Sequence, residues 1–249
     1  QSIQIEQGLA ATDYIESGAT TGKAGLLEDE PRFDYSGGVT CPSLLLEPSR
    51  TNLIVQSEYF DGWTNTENTT LVANAATSPQ GVQNAYSVTA GTNNDYHRIF
   101  NSITTTSGTS YTTSIFAKAN GHNFILFRLS SIGGGNKNVS FNLSTGAVDF
   151  ESTAVTDANV EPYGNGWYRC SITFTADVTS MTIYVRSQPA TQVGVNDGIN
   201  QYTGNGSDGI YIFGAQFEAG SYPTSYIPNH SGGSVTRGAD VCNSAGDSS

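Results

Sequence analysis

The densest group of chemically capable side chains in this sequence is Asp95-Tyr96-His97-Arg98, which holds a carboxylate, a phenol, an imidazole and a guanidinium in consecutive positions. Polysaccharide lyases use histidine, tyrosine and arginine, so this group keeps a lyase as the enzymatic alternative. Neighbouring side chains of a strand point to opposite faces, however. These four residues therefore cannot all converge on one substrate without residues from elsewhere in the chain.

Other catalytic patterns are missing from the sequence. Glycosidases need two carboxylates held about 5 to 10 Å apart, and the clearest acidic run, residues 28–30, has the character of a solvated linker. No GxSxG elbow, P-loop or HExxH occurs. His97, His122 and His230 lack the spacing of metal ligands. We therefore expect that the chain is not an enzyme.

Sugar binding makes smaller demands, since it needs an aromatic ring for the apolar face of a pyranose and planar polar groups for its hydroxyls. Strand alternation puts Tyr184 and Arg186 on one polar-aromatic face. We predict a carbohydrate site there, with Arg128 from a second strand. Arg128 shares its strand face with Phe124 and Leu126, and it would only be a strand end reaching solvent if those two were core residues.

Further candidates for sugar contacts lie in predicted loops. They are Tyr96, His97, Tyr163 and Tyr202. Trp63 and Trp167 each lie beside a glycine at a strand edge, and we expect both to be core residues instead.

The elements that must position these residues are strands. Short segments rich in β-branched and aromatic residues, bounded by Gly, Asn, Asp, Ser and Pro, recur as they do in β-sandwiches. No segment has an apolar stripe of helical period. Alternation predicts one buried row of Tyr168, Cys170, Ile172 and Phe174. The clearest predicted strands are 111–118, 124–130, 139–143, 167–174, 181–187 and 209–217.

Composition limits the class of partner. The 249 residues include 13 Tyr, 11 Phe and 2 Trp, which favours a folded chain, and only 13% are charged. A net charge of −12 argues against nucleic acid. No run approaches the roughly 18 apolar residues that span a bilayer, so we expect no membrane insertion.

Cys41, Cys170 and Cys242 have no CxxC spacing, and we expect Cys170 to be a small core residue.

An internal echo suggests a repeated unit. Six residues near the start of the chain, Gln4, Glu6, Gly8, Thr12, Tyr14 and Ile15, recur at one constant offset as Gln216, Glu218, Gly220, Thr224, Tyr226 and Ile227. We predict that residues 1–27 are the terminal strand and linker of a preceding similar repeat. Residues 28–249 would then be the main domain with its C-terminal linker.

Two blocks carry a resemblance to a known family. From Pro31 onward, the segment 42–53, Pro-Ser-Leu-Leu-Leu-Glu-Pro-Ser-Arg-Thr-Asn-Leu, and the closing segments 214–218 and 223–227 resemble modules of bacteriophage tail and head fibres. This resemblance implies a virion or extracellular location, neighbouring fibre domains and a possible homotrimer.

The body of the chain resembles the jelly-roll carbohydrate-binding modules attached to xylanases and laminarinases. The resemblance rests on Asn52-Leu53, Phe60-Asp61, Gly62-Trp63, the strand 111–118 and the strand 166–169. It implies an all-β fold, a jelly-roll β-sandwich of two antiparallel sheets, and a polysaccharide or cell-surface glycan as partner.

The same modules often hold a structural calcium ion, and the sequence departs from them at that site. Phe213-Gly214 stands where those modules have an Asp-Asp pair. Asp61 alone cannot supply the several oxygen ligands of a hard cation. Glu47, Glu218 and Asp240 are the possible substitutes, and no other cofactor is expected.

These patterns favour a non-catalytic carbohydrate-binding module in a phage fibre or capsid-decorating protein. Two alternatives stay open. One is a purely structural fibre or trimerisation domain, and the other is an accessory binding module of a polysaccharide-degrading enzyme.

Overall fold

Alternating apolar residues and tight turns give a structure whose regular elements, in the described residues, are almost all β-strands. The computed structural model describes residues 32–34, 43–63, 65–190 and 201–241. Within these ranges there is no α-helix, and Phe60–Gly62 forms a 3₁₀ turn. No helix there is long and apolar enough to cross a membrane.

The strands are numbered in chain order. They are β1 Arg32–Asp34, β2 Ser43–Leu45, β3 Arg50–Asn52, β4 Asn65–Glu67, β5 Thr69–Ala76, β6 Ala85–Ala90, β7 Asn94–Asp95, β8 Arg98–Thr104, β9 Ser110–Asn120, β10 Phe124–Ile132, β11 Gly135–Asn142, β12 Ala147–Glu151, β13 Val155–Pro162, β14 Trp167–Thr175, β15 Ser180–Gln188, β16 Tyr202–Thr203, β17 Gly209–Ala219 and β18 Val235–Arg237.

The chain divides into two units. The larger is Arg50–Thr236, and the smaller combines Gln1–Ser49 with Arg237–Ser249. In the smaller unit β1 pairs with β2 in antiparallel fashion. Its Glu47 forms an ion pair with Arg237 at 3.0 Å.

Two six-stranded antiparallel sheets form the larger unit. Sheet A has the order β12-β11-β10-β15-β8-β4, and sheet B has the order β13-β14-β9-β17-β6-β5. Their inner faces share one apolar core, to which both sheets contribute. The predicted fold class, an all-β jelly-roll sandwich of two antiparallel sheets, is confirmed.

Strand alternation assigns the faces as the sequence predicts. Cys170, Ile172 and Phe174 of β14 are fully buried in the core, and Tyr168 packs against it. All six predicted strands are present, as β9, β10, β11, β14, β15 and β17. β11 begins earlier than predicted, at Gly135, because the turn before it ends there. Cys41 and Cys242 lie outside the described residues.

A bulge in β17 fixes the path of the chain after it. The pairing of β17 with β9 shifts register between Phe213 and Gln216. Gly214, within this bulge, has φ +58, and a Cβ atom there would lie 3.0 Å from Cζ of Tyr226 and 3.1 Å from Phe116. Glycine is therefore required both by the left-handed backbone and by the ring that packs on it.

The side chain of Asn52, in β3, is hydrogen-bonded to this bulge. Its fully buried amide donates to the carbonyl oxygens of Ala215 and Ile227, and its Oδ1 accepts from the backbone N–H groups of Phe217 and Ile54. One side chain thus satisfies four backbone groups from three segments of the chain.

We call residues 221–229, which follow β17, the closing segment. Thr224 donates from its backbone N–H and its hydroxyl to the two carboxylate oxygens of Glu218, at 2.8 and 2.7 Å. Gln216 donates to Glu218 at 2.6 Å and accepts from the backbone N–H of Ile227 at 2.7 Å. We call this buried network of Gln216, Glu218 and Thr224 the Glu218 clasp.

The predicted repeat rests on residues that the structure leaves undescribed. Residues 1–27 lie outside the described ranges, so the assignment of that segment to a preceding domain stays a prediction.

Replacing Asn52 with alanine should destabilise the fold strongly, because it leaves several buried backbone groups without partners. We expect the free energy of unfolding to fall by roughly 3 kcal/mol. Urea denaturation followed by tryptophan fluorescence measures it. Asn123→Ala is the matched control, since Asn123 is exposed and its substitution should change stability by under about 0.5 kcal/mol. Equal losses in the two variants would contradict the role of Asn52.

Candidate functional site

The outer face of a sheet is the one turned away from the shared core, and in sheet B part of that face is covered by the chain itself. Arg169 of β14 donates to the carbonyl oxygen of Thr224 at 2.7 Å. Tyr226 packs on Phe116 and Phe213, each with ring centres 5.8 Å apart. The closing segment therefore occupies the outer face of sheet B over β9, β14 and β17.

Trp167 of β14 is also covered on this face, by a different part of the chain. It is buried on this outer face, and its indole N–H donates to the carbonyl oxygen of Thr77 at 3.0 Å. Trp63 lies in the core between the sheets. Both tryptophans are thus buried, as the sequence predicts, and neither is presented to a ligand.

The outer face of sheet A has a different character. Ile99, Phe127 and Val185 point into the core, so the residues beside them point outward. The three strands β8, β15 and β10 are neighbours in the sheet. Phe124 and Leu126 are buried, but they lie on the outer side with Arg128, since Ile125 and Phe127 fill the core between the sheets. A contact of Arg128 with a sugar stays a prediction.

Register brings basic and aromatic side chains into line across this face. Tyr184 of β15 stands opposite Arg128 of β10 on one side and Phe100 of β8 on the other. Arg186 stands opposite Arg98. Opposite residues in neighbouring strands lie about 5 Å apart at Cβ, so their side chains meet.

The resulting arginine–tyrosine cluster consists of Tyr96, Arg98, Arg128, Tyr184 and Arg186. The guanidinium carbons of Arg98, Arg128 and Arg186 lie 4.6, 5.9 and 5.9 Å from the centre of the Tyr184 ring. Arg98 and Arg186 also lie 5.1 and 4.9 Å from the centre of the Tyr96 ring. These distances are those of cation–π contacts.

Arg186 is the unusual member of the cluster. Its side chain is only 1% exposed, yet Nε, Nη1 and Nη2 have no hydrogen-bond partner. Burial, helped by the nearby charges of Arg98 and Arg128, lowers the pKa of Arg186 to about 9. The group is therefore still a cation at neutral pH, and its charge is balanced by ring faces alone.

The neighbouring strand adds two more buried polar atoms to this face. Asn138 and Ser140 of β11 stand opposite Arg128 and Leu126, on the same side of the sheet. Asn138 Oδ1 and Ser140 Oγ are buried without a hydrogen-bond partner. Acceptors and donors in this condition are the groups that gain most when a polar ligand reaches them.

Not all the sequence-predicted residues join the cluster. Tyr96, Arg128, Tyr184 and Arg186 do, and His97, Tyr163 and Tyr202 do not. Tyr163 packs edge-on against Phe116 of sheet B, with ring centres 4.8 Å apart. Three of the four loop candidates therefore lie outside the cluster, and their contact with a sugar stays a prediction.

His97 and Tyr202 hold loops together. His97 is 1% exposed, and its two ring nitrogens lie 2.6 Å from the carbonyl oxygen of Asn68 and 3.0 Å from that of Tyr202. The Tyr202 hydroxyl donates to the carbonyl oxygen of Ser187 at 2.8 Å. These contacts tie the short strands β7 and β16 to the edge of sheet A, and they leave the imidazole no free nitrogen.

Arg98 is a member of the cluster that the sequence-based choice of sugar contacts does not include. It lies two residues after Tyr96, so the period of a strand could have placed the two side chains together. Its position opposite Arg186 depends on the pairing of β8 with β15, which no local pattern specifies.

The four carboxylates proposed as calcium ligands do not fit such an ion. Both oxygens of Glu218 are engaged in the Glu218 clasp, Glu47 pairs with Arg237, and Asp61 accepts a hydrogen bond from Tyr86 at 3.1 Å. Asp240 accepts from the backbone N–H of Glu47 at 2.7 Å. The described part of the chain holds no group of three or more His, Cys, Asp or Glu that could bind a metal.

Apart from the cluster, a surface depression lies at one end of the sandwich. Its volume is about 400 Å³, and its lining includes Ser107, Ile132, Ala154, Thr156 and Asp177. No aromatic ring lines it, so it lacks the platform on which a pyranose would stack.

Comparisons with known proteins give similarities at low identity. No family model matches the chain. No curated protein matches it. Carbohydrate-binding modules are prominent among the similar solved structures.

Three of these solved structures illustrate the range. The carbohydrate-binding module TmCBM61, in complex with β-1,4-galactotriose, is 14% identical, with a TM-score of 0.40 over 68% of this chain and 99% of that chain. A module of Cellvibrio mixtus lichenase 5A, in complex with cellotriose, is 9% identical, with a TM-score of 0.36 over 68% and 96%. The enzymatically active domain of tailspike protein 4 of bacteriophage CBA120 is 13% identical, with a TM-score of 0.39 over 67% of this chain and 21% of that chain. At such scores the chemistry of this chain has to be argued from its own residues.

The two buried arginines of the sandwich should respond oppositely to replacement by methionine. Arg169 donates to Ser114 and Thr224, so Arg169→Met should lower the free energy of unfolding by about 2 kcal/mol or more. Arg186 has no such bonds, so Arg186→Met should leave the free energy unchanged or raise it by up to about 2 kcal/mol. Urea denaturation measures both. A loss in Arg186→Met as large as that in Arg169→Met would contradict this account of the cluster.

Proposed function

We propose that this chain is a non-catalytic carbohydrate-binding module and that the outer face of sheet A is its binding surface. The observation that carries the proposal is the arginine–tyrosine cluster, in which half-buried aromatic rings alternate with guanidinium groups across three neighbouring strands.

The side chains of the cluster match the two needs of a sugar. The rings of Tyr184 and Tyr96 offer apolar surface to a pyranose, and each phenol also carries a polar hydroxyl. Guanidinium groups offer several N–H donors in a fixed plane, which suits pairs of neighbouring hydroxyl or ring oxygens.

Binding is favoured over hydrolysis by what the face contains. A glycosidase needs two carboxylates at fixed separation, and the sequence carries no motif for such a pair. The lyase alternative needed Tyr96, His97 and Arg98 to act together. His97 instead points away and is held by two carbonyl oxygens, which removes the base from that group.

The kind of protein that contains this module is also a proposal. The block 42–53 and the internal echo support a place in a phage fibre or capsid-decorating protein, and hence a location on a virion or outside the cell. An accessory module of a polysaccharide-degrading enzyme would present the same face. Neither setting requires a cofactor.

A purely structural fibre domain is the second candidate, and one observation favours it. Asn52, Gln216, Glu218 and Thr224, which belong to the segments resembling fibre modules, all serve the architecture of the sandwich. A trimeric mass in solution, together with no response to any glycan, would support this candidate over the binding module.

Affinity electrophoresis against soluble algal, plant and bacterial polysaccharides tests the proposed surface. Wild type should be retarded by at least one of them, and Tyr184→Ala should weaken that binding about tenfold or more, because the central ring of the cluster is lost.

Tyr163→Ala is the matched variant on sheet B, since Tyr163 is exposed to 43% and lies outside the cluster. It should bind as wild type does. Loss of binding in Tyr163→Ala with retention in Tyr184→Ala would move the surface to sheet B, and no retardation by any polysaccharide would overturn the proposed function.

A further inference from the structure

We infer that the glycan bound by the arginine–tyrosine cluster is anionic, carrying a carboxylate or sulfate group that pairs with the guanidinium groups around Arg186. This inference rests on the proposed function and specifies the class of its ligand.

The charge of Arg186 has no hydrogen-bonded or ionic partner among the residues that the structure describes. A cation removed from water loses solvation free energy that only an opposite charge or several hydrogen bonds can offset. Arg186 is 1% exposed, and none of its three nitrogens has an acceptor. Ring faces offset a part of that loss, since a cation–π contact is worth about 0.5 to 2 kcal/mol.

Like charges are concentrated around this residue. The whole chain has 10 Lys and Arg residues against 22 Asp and Glu, and three arginines meet around the ring of Tyr184. Their mutual repulsion contributes to lowering the pKa of Arg186. A strongly acidic protein that gathers three arginines on one face has a local potential opposite in sign to its average.

The shape of the guanidinium group favours an anion with paired oxygens. Arginine binds carboxylate and sulfate oxygens in bidentate fashion, and charge-assisted bonds of this kind are about twice as strong as neutral ones. Arg98 and Arg128 are partly exposed and frame the buried Arg186. An anionic group that reaches this face meets the charges of the partly exposed Arg98 and Arg128 beside the buried Arg186, and the ring of Tyr184 lies among them for the sugar that carries the charge.

The net charge of −12 limits how highly charged the ligand can be. At physiological salt the screening length is about 8 Å, so the rest of the acidic surface acts weakly on a single charge held in the cluster. A chain with a charge on every sugar would instead bring many anions close to the acidic surface. Short oligosaccharides are therefore the right probes.

Isothermal titration calorimetry with matched pairs of oligosaccharides tests the inference. The first pair is oligogalacturonate and its methyl ester, in which a methyl group on the carboxyl removes the negative charge. The second pair is a carrageenan oligosaccharide and its desulfated form. Wild type should bind the anionic member of at least one pair about tenfold more tightly than its neutral counterpart. Preference within the first or second pair identifies the carboxylate or the sulfate as the recognised group.

Variants assign the effect to Arg186. Arg186→Met should remove the preference for the anionic member, and Arg186→Lys should restore only part of it, because an ammonium cannot make the bidentate contact. Lys118→Met removes one positive charge from sheet B and should keep the full preference.

The outcomes separate this inference from the proposed function. Equal binding of charged and neutral members, lost in Tyr184→Ala, would overturn the anionic ligand and leave the carbohydrate-binding face standing. A preference that survives in Arg186→Met would also overturn the inference. Binding of none of the four oligosaccharides, with no polysaccharide retarding the chain, would overturn both.

Discussion

The buried carboxylate of Glu218 holds the closing segment on the outer face of sheet B through hydrogen bonds. Glu218 accepts three hydrogen bonds from Gln216 and Thr224, with Arg50 Nε 3.7 Å from its second oxygen. This arrangement turns the chain back after β17, so that the closing segment lies over the outer face of sheet B. On the outer face of sheet A, Tyr96, Arg98, Arg128 and Tyr184 are partly exposed, whereas Arg186 is buried.

The two sheets thus carry buried charges in opposite conditions. On sheet B, Glu218 and Arg169 are buried and hydrogen-bonded by the closing segment, so each charge contributes to holding the fold. On sheet A, Arg186 is equally buried without an acceptor. A charge in this second condition adds nothing to stability that a well-packed apolar side chain would not add. Under the proposed function, its presence is explained by what the face binds.

Much of this arrangement follows from the period of a strand, and the rest depends on pairing between distant segments. Alternation correctly placed Cys170, Ile172 and Phe174 in the core and Tyr184 and Arg186 on the outer face, since each assignment needs only neighbouring residues. It did not group Arg98 with Arg186, because that contact depends on the register of β8 against β15. Alternation also does not reveal what holds His97 and Tyr202, since the carbonyl oxygens that contact them belong to Asn68 and Tyr202 for His97 and to Ser187 of β15 for Tyr202.

The residues of the internal echo have an identifiable structural role at their second occurrence, near the end of β17. Gln216, Glu218 and Thr224 form the Glu218 clasp, and Tyr226 is the ring that packs on Gly214. The residues shared with positions 4 to 15 are therefore those that turn and fasten a closing segment, and none of them belongs to the arginine–tyrosine cluster. If residues 1–27 end a preceding similar repeat, as the sequence predicts, a clasp of this kind would finish each sandwich, and the proposed binding face could vary independently of it. Resemblance in the clasp therefore bears on architecture, whereas the proposed glycan ligand depends on Arg98, Arg128, Tyr184 and Arg186.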